Sequence, residues 1–243
     1  MATTTAGRQL SSQHRRQQMA IRAAAARDTL QVWTAGFDLD DIDGSWRRME
    51  PAMVAVTQDY RRQSANVAAG YYQAYRTAEG APGTYRPRLA VPPSREVLRY
   101  SLGYYGMVAP NQLYRSGRRD VMRQAGTHLV GGVSRHVNDG GRHTVLENVG
   151  QDRQARGWQR VTAGRPCSFC AMIAARGAVF SADTASFQAH DHCQCTAEPV
   201  YGRDDQRPEH ARQWSQLWDD STRGVRGARA QRNAFRQAYE AAT

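Results

Sequence analysis

Every cysteine in this chain lies inside one short window. It reads Cys167-Ser-Phe-Cys170, then nineteen residues, then His190-Asp-His192-Cys193-Gln-Cys195, and it also holds two of the seven histidines. Thiolate and imidazole are the donors that a zinc ion takes at the corners of a tetrahedron. A Cys-x-x-Cys pair offers two of them from one tight turn, and a second Cys/His knot closes the site. Cys167 and Cys170 are the firmest ligands by spacing. Between Cys193 and Cys195, and between His190 and His192, spacing does not choose. The working set is Cys167, Cys170, His190 and Cys195, with Cys193 and His192 in reserve. One structural zinc would supply folding energy to a segment of about 45 residues with few large apolar side chains. Disulfides, buried unligated thiols and a catalytic zinc with an open position are the alternatives.

Reactive motifs are sparse. There is no His-Glu-x-x-His, no Gly-x-Ser-x-Gly elbow, and no phosphate loop, since the chain has no lysine. Pro166-Cys167-Ser-Phe-Cys170 matches half of a zinc-deaminase signature. The upstream His143-Thr-Val-Leu-Glu147 puts its glutamate four residues after the histidine, where that signature needs two. A hydrolytic triad from Ser134 or Ser181, one of His128, His136 and His143, and an aspartate exists in composition only.

The elements that must position the window read as helices. Leu10, Met19, Ile21, Leu30 and Val32 mark a helix from Gln9 to about Trp33, after a disordered segment 1–8. The acidic turn Asp38–Gly44 caps a longer helix to Thr77, in which Trp46, Met49, Met53, Tyr71 and Tyr75 form one packing face. Glu79 to Pro93 is a Pro/Gly loop. Ser94 caps a helix to about Met107, Pro110 restarts one from Gln112 to His136, Asp139-Gly-Gly141 makes a turn, and a short helix runs from Arg142 to Asp152. Trp158–Val161 alternates like a strand that pairs with Thr196–Tyr201, Cys167–Arg176 is a helix capped by Gly177, and Ala178–Phe180 is a second small strand. Pro208–Trp218 and a segment from Gly224 or Gly227 to Ala242 return to helix. The fold class is therefore mainly α: long amphipathic helices packed as hairpins, a small α+β zinc-stapled domain with a short β-hairpin around the Cys/His site, and a helical C-terminal tail. The expected divisions are 9–152 helical, 153–203 metal-binding and 204–243 a C-terminal helical segment.

Composition narrows the setting. Mean hydropathy is −0.71 over 243 residues, which suits long solvated helices. No apolar run is long enough to span a membrane, and the opening residues lack the apolar centre of a signal peptide, so a cytoplasm is the expected place of synthesis. Net charge is +11, with all 33 basic residues arginine. GC-rich coding explains the choice of arginine over lysine. The excess itself favours nucleic acid or an acidic protein surface nearby.

The block Gly157-Trp-Gln-Arg-Val161, Cys167-x-x-Cys170, Arg176-Gly-Ala-Val-Phe180, His190-x-x-Cys193-x-Cys195 and Pro199-Val-Tyr201 resembles the MuF-like minor head proteins of tailed bacteriophages. It is similar to the branch often labelled minor capsid or capsid maturation protein, and Ser64–Tyr72 fits the same branch. The resemblance implies a low-copy virion protein inside the capsid near the portal, made in the host cytoplasm. It would contact the portal protein, with scaffold and major capsid protein as further partners, close to packaged DNA, and act in head assembly or DNA delivery. The family pattern falls on Cys167, Cys170, His190, Cys193 and Cys195 and leaves out His192. No residues match a protease motif, so no catalytic position follows. A capsid maturation protease and a zinc-containing nucleic-acid-binding module are the competing functions. The apolar Ala171-Met-Ile-Ala-Ala175 after the knuckle points to packing rather than groove reading.

Overall fold

A computed structural model of the chain describes residues 2–162, 164–176, 187–202 and 208–243. Three long helices carry the architecture: α1 (Thr5–Gly36), α2 (Ile42–Ala78) and α5 (Val121–Gln151). Between α2 and α5 lie α3 (Arg95–Gly103) and α4 (Ala109–Arg115). Beyond α5 come β1 (Gly157–Val161), α6 (Ser168–Ala175), β2 (Thr196–Val200), α7 (Glu209–Thr222) and α8 (Ala228–Ala242). The fold is thus mainly helical with a small antiparallel two-stranded sheet and a Cys/His cluster in its C-terminal half, as the sequence pattern predicts. Among the described residues no helix is long and apolar enough to cross a membrane.

The chain is ordered earlier than residue 9. Thr4 caps α1 by accepting from the Gly7 N–H at 2.9 Å. The Glu79 carboxylate, just past α2, accepts from the backbone N–H groups and hydroxyls of both Thr3 and Thr4. The expected disorder of 1–8 is therefore corrected: a carboxylate from elsewhere in the chain satisfies donors that would otherwise face water. This contact also fixes α1 antiparallel to α2. At the other end, Asp41 caps α2 through the Gly44 N–H, as its position in the acidic turn predicts. Pro51 sits inside α2, past its first turn.

The largest departure from the sequence reading is at Asp139-Gly-Gly141. It forms no turn, and α5 runs straight through it. The glycines are there for closeness. A Cβ on Gly140 would strike the backbone carbonyl of Arg61 in α2, and one on Gly141 would come within 2.7 Å of the Gln18 amide of α1. Where three helices meet this tightly, the polar groups pair: Gln18 and Ser64 exchange hydrogen bonds, and Ser64 Oγ accepts from the Gly141 N–H at 2.9 Å. A helical glycine costs up to about 1 kcal/mol against alanine, and that cost is offset by close contact between buried helix backbones.

The segment from α3 to α4 is also continuous where a break was expected. A π-helical turn, Tyr104–Val108, links them. The wider turn admits Pro110, which has no N–H to give, and places Gly106 where only a hydrogen fits against the Trp46 ring. The expected helix 112–136 is instead divided by the turn at Gly117, whose φ of 72° suits glycine. The Pro/Gly loop after α2 is pinned without regular structure. Buried Arg76 pairs with Asp152 at 2.9 Å and donates to the carbonyls of Ala81, Pro82 and Gly83. Farther on, Asn148 and Thr144 of α5 bond the backbone of Arg88 and Ala90.

Two apolar clusters fill the bundle. One joins Trp33, Trp46, Met49, Met53, Leu102 and Leu129. The other joins Tyr71, Tyr72 and Tyr75 of α2 with Val145, Trp158, Cys170, Cys193 and Cys195. The cysteine region therefore shares a core with the long helices. A third cluster packs α7 and α8 on α6 through Trp218, Phe235 and Tyr239. The predicted strand at 178–180 and the Gly177 cap lie outside the described residues.

Gly140→Ala should destabilise the fold by about 1–3 kcal/mol, the usual range for forcing a methyl into a packed contact, measurable by urea denaturation. Acid should also weaken it. Burial lowers His14 to about 3 and His136 to about 4. Unfolded histidines titrate near ~6.5, so between these values the unfolded chain binds more protons and stability falls with pH, by about 1.4 kcal/mol per unit for each such histidine. His14 stacks flat on Tyr71 with ring centroids 4.2 Å apart. His14→Phe should keep the stack and lose less stability between pH 7 and pH 5 than the parent chain.

Candidate metal centre

Local structure brings Cys167, Cys170, His190, Cys193 and Cys195 together. Cys167 has extended backbone and caps α6, its sulfur accepting from the Cys170 N–H at 3.4 Å. That turn aims Cys167 and Cys170 the same way. The second knot leads into β2, which pairs in register with β1: Gln159 lies opposite Glu198 and Val161 opposite Thr196. β1–β2 pairing therefore sets where Cys193 and Cys195 sit relative to α6.

The sulfurs and imidazole form two triangles with a common corner. Cys167, Cys170 and His190 make one, and Cys170, Cys193 and Cys195 the other, with every ligand atom within 4.8 Å of the others in its triangle. Cys167 Sγ lies 3.0 Å from His190 Nε2, and Cys170 Sγ lies 3.9 Å from it and 3.7 Å from Cys193 Sγ. In a tetrahedral site with Zn–S bonds of about 2.3 Å, sulfurs stand about 3.8 Å apart. The Cys170–Cys193 distance matches that edge. The donor set suits a borderline-soft ion, and the cluster can hold a metal. All four cysteines are free thiols, not disulfides. Cys167 is exposed and the other three are buried, so ligand access is from the Cys167–His190 side. His192 lies outside both triangles. It has left-handed backbone, φ 64°, and its ring rests over Gly131 of α5, where a Cβ would come within 2.6 Å of Nε2.

The sulfurs divide their protons unevenly. Cys167 is drawn down to about 5, first by the Cys170 thiol and then by the Cys170 backbone N–H and by His190. Cys170 is pushed up, because hydrogen bonding to Cys167, Cys193 and Cys195 favours its protonated form. Burial pulls His190 down, but the Asp191 carbonyl and the negative Cys167 outweigh it, and its net shift is upward. Such a cluster gains by replacing shared protons with a cation.

Outer contacts come from residues that sequence reasoning did not single out. Arg142 of α5 donates from Nε to the Cys195 carbonyl and from Nη2 to the Cys193 carbonyl, both at 2.9 Å, while Nη1 pairs with Asp139. Asn138 donates to the same Cys193 carbonyl at 3.0 Å. Arg160 of β1 reaches the sulfurs themselves. The cluster forms the floor of a cleft of about 420 Å³ whose walls include Arg15, Arg16 and Arg165. The signal in sequence was faint: these are five arginines among many.

Among the described residues, those weighed for hydrolysis do not assemble as a triad. Ser134 is buried in α5 and its hydroxyl has no partner. His143 Nδ1 faces the Arg61 guanidinium at 3.4 Å, and Ser181 lies outside the described residues. His136 instead meets Ser101 of α3, Nε2 to Oγ at 2.8 Å. Burial holds that histidine neutral at ordinary pH.

Among known protein families, the model described as VG15 protein matches residues 5–221. No curated protein and no solved structure matches the chain.

Native mass spectrometry of the purified chain should show about one zinc per molecule. Cys170→Ser, at the corner common to both triangles, should abolish it, and His192→Ala should leave it intact. Stoichiometric disulfides in protein purified without oxidation would contradict the site.

Proposed function

The chain belongs to the VG15 protein family, a viral (phage) gene-product family, and from that premise we propose that it is a minor structural protein of the phage head. It works at low copy on the inner side of the capsid, docked to the portal, in head assembly and DNA delivery. Its C-terminal half is held by one structural zinc on four of the five ligands Cys167, Cys170, His190, Cys193 and Cys195. The observation that carries this reading is the coincidence of the Cys/His cluster with the pattern of MuF-like head proteins, on a chain whose family is viral.

The physical character of the molecule supports it. Helices of 32, 37 and 31 residues span about 45–55 Å each at 1.5 Å per residue, a reach suited to bridging parts of a large assembly. A net charge of +11 carried by arginine suits a place beside packaged DNA, where phosphate contact is general rather than sequence-specific. The helix following the knuckle is spent on packing: Ala171 and Met172 are buried against α7 and α8. Among the described residues this leaves no basic recognition helix at the Cys/His cluster, which favours a stapling role.

Mass spectrometry of purified virions and of empty procapsids, with copies counted in each, should find a few chains per particle. Portal rings should retain the protein at high salt, where purely electrostatic binding to DNA weakens. Absence from both particles would overturn the proposal.

A further inference from the structure

Arg160 has an unusual set of neighbours. It sits in the middle of β1 and is only 5% exposed. Its Nη1 lies 3.6 Å from Cys170 Sγ and 3.9 Å from Cys193 Sγ, and Nη2 donates to the Gln188 carbonyl at 2.6 Å. Its guanidinium lies 3.8 Å from the centre of the Phe187 ring, which Arg142 approaches at 4.7 Å. Nε has no partner, and among the described residues no carboxylate pairs with this arginine.

A buried guanidinium without a carboxylate is costly. Two of its neighbours, the Gln188 carbonyl and the Phe187 ring, bear no net charge. The charge partners in reach are the Cys170 and Cys193 sulfurs, once a bound ion holds them as thiolates. The need runs both ways. Three or four thiolates on one divalent ion leave the centre negative, and a buried negative centre is stabilised by N–H donors aimed at its sulfurs.

We propose that Arg160 is the charge-compensating, positioning residue of the metal centre: it bridges Cys170 and Cys193, one from each half of the ligand set, and stabilises both as thiolates on the bound ion. This rests on the zinc reading above and adds a residue outside the ligand pattern. It also gives β1 a role beyond pairing. The strand carries the cation whose Nη1 reaches both the ligand from α6 and the ligand ahead of β2 while Nη2 anchors it to the Gln188 carbonyl. Phe187, which both guanidiniums approach and which stacks on Trp158 at 5.3 Å, packs against the Arg160 guanidinium.

The test compares the full chain with Arg160→Met and Arg160→Lys. Zinc affinity is read by competition with a chromophoric chelator, and the thiolate-to-metal bands are read after cobalt(II) substitution. Arg160→Met should bind zinc about 10- to 100-fold more weakly, the usual cost of losing an outer partner of a metal ligand, and should shift the cobalt bands. Arg160→Lys keeps charge without the fork and should recover part of the affinity. A folded Arg160→Met with wild-type affinity and an unaltered cobalt spectrum overturns the proposal and leaves the metal reading standing. Should Arg160→Met lose its helical circular dichroism, Arg160→Lys decides, and full wild-type affinity and spectrum there overturn the proposal. A wild-type chain that takes up neither metal removes both readings.

Discussion

The C-terminal half of this molecule depends on one buried guanidinium. Arg142 projects from the middle of α5 and holds the backbone carbonyls of Cys193 and Cys195. Those carbonyls precede and begin the run into β2. Without Arg142 the Cys195 carbonyl would lose its side-chain donor, at a cost of about 1–3 kcal/mol for a buried acceptor left unpaired, while the Cys193 carbonyl would keep only Asn138. Because the arginine belongs to α5, the second cysteine knot takes its position from the bundle as well as from the small sheet. Asp139, one turn earlier, steadies the guanidinium from the other side. Bundle and cysteine cluster are in this sense one construction, and the common core of Tyr71, Trp158, Cys170 and Cys195 is its apolar counterpart.

The same helix explains the glycine content. At Gly131, Gly132, Gly140 and Gly141 a side chain would meet His192, Tyr105, Arg61 and Gln18 in turn. Four partners from separate parts of the chain thus approach one helix to within backbone distance. Close approach leaves little room for water, so polar groups at the crossing bond one another, as Gln18, Ser64 and Gly141 do. α5 is the surface on which the other elements are measured.

Much of this was legible in the residues, and the illegible part has a common cause. Helical periodicity placed α1 and α2 to within a few residues. α2 buries the apolar face that was read for it, whereas α1 buries Ser11, His14, Gln18, Thr29 and Trp33 and leaves Met19 and Leu30 exposed, so its length was legible and its packing face was not. The strand pair was readable from alternation. The metal candidates were readable because cysteine and histidine are rare and clustered. The Gly140-Gly141 step was misread because glycine reports a demand on backbone or on space without saying which, and only the partner helix decides. The π-helical turn left no pattern of its own. The ordering of Thr3 and Thr4 depends on Glu79, far away in sequence. Arg142 and Arg160 were invisible among 33 arginines: composition marks a charge, while burial beside sulfur or carbonyl is a property of the fold.

The ladder between β1 and β2 has a consequence for how the chain reaches its final form. Its strands enclose residues 162–195, so pairing Val161 with Thr196 closes a long loop before any ladder bond is gained. Closure entropy rises only slowly with loop length, but five-residue strands offer few bonds to offset it. Contacts nested inside the loop shorten it. The turn from Cys167 to Cys170 is local, and the approach of His190 and Cys193 to Cys170 draws the two ends together before the strands meet. Loop closure therefore favours the ladder most once the cysteine knots have packed against α5, so the short sheet gains its stability from the contacts nested inside it.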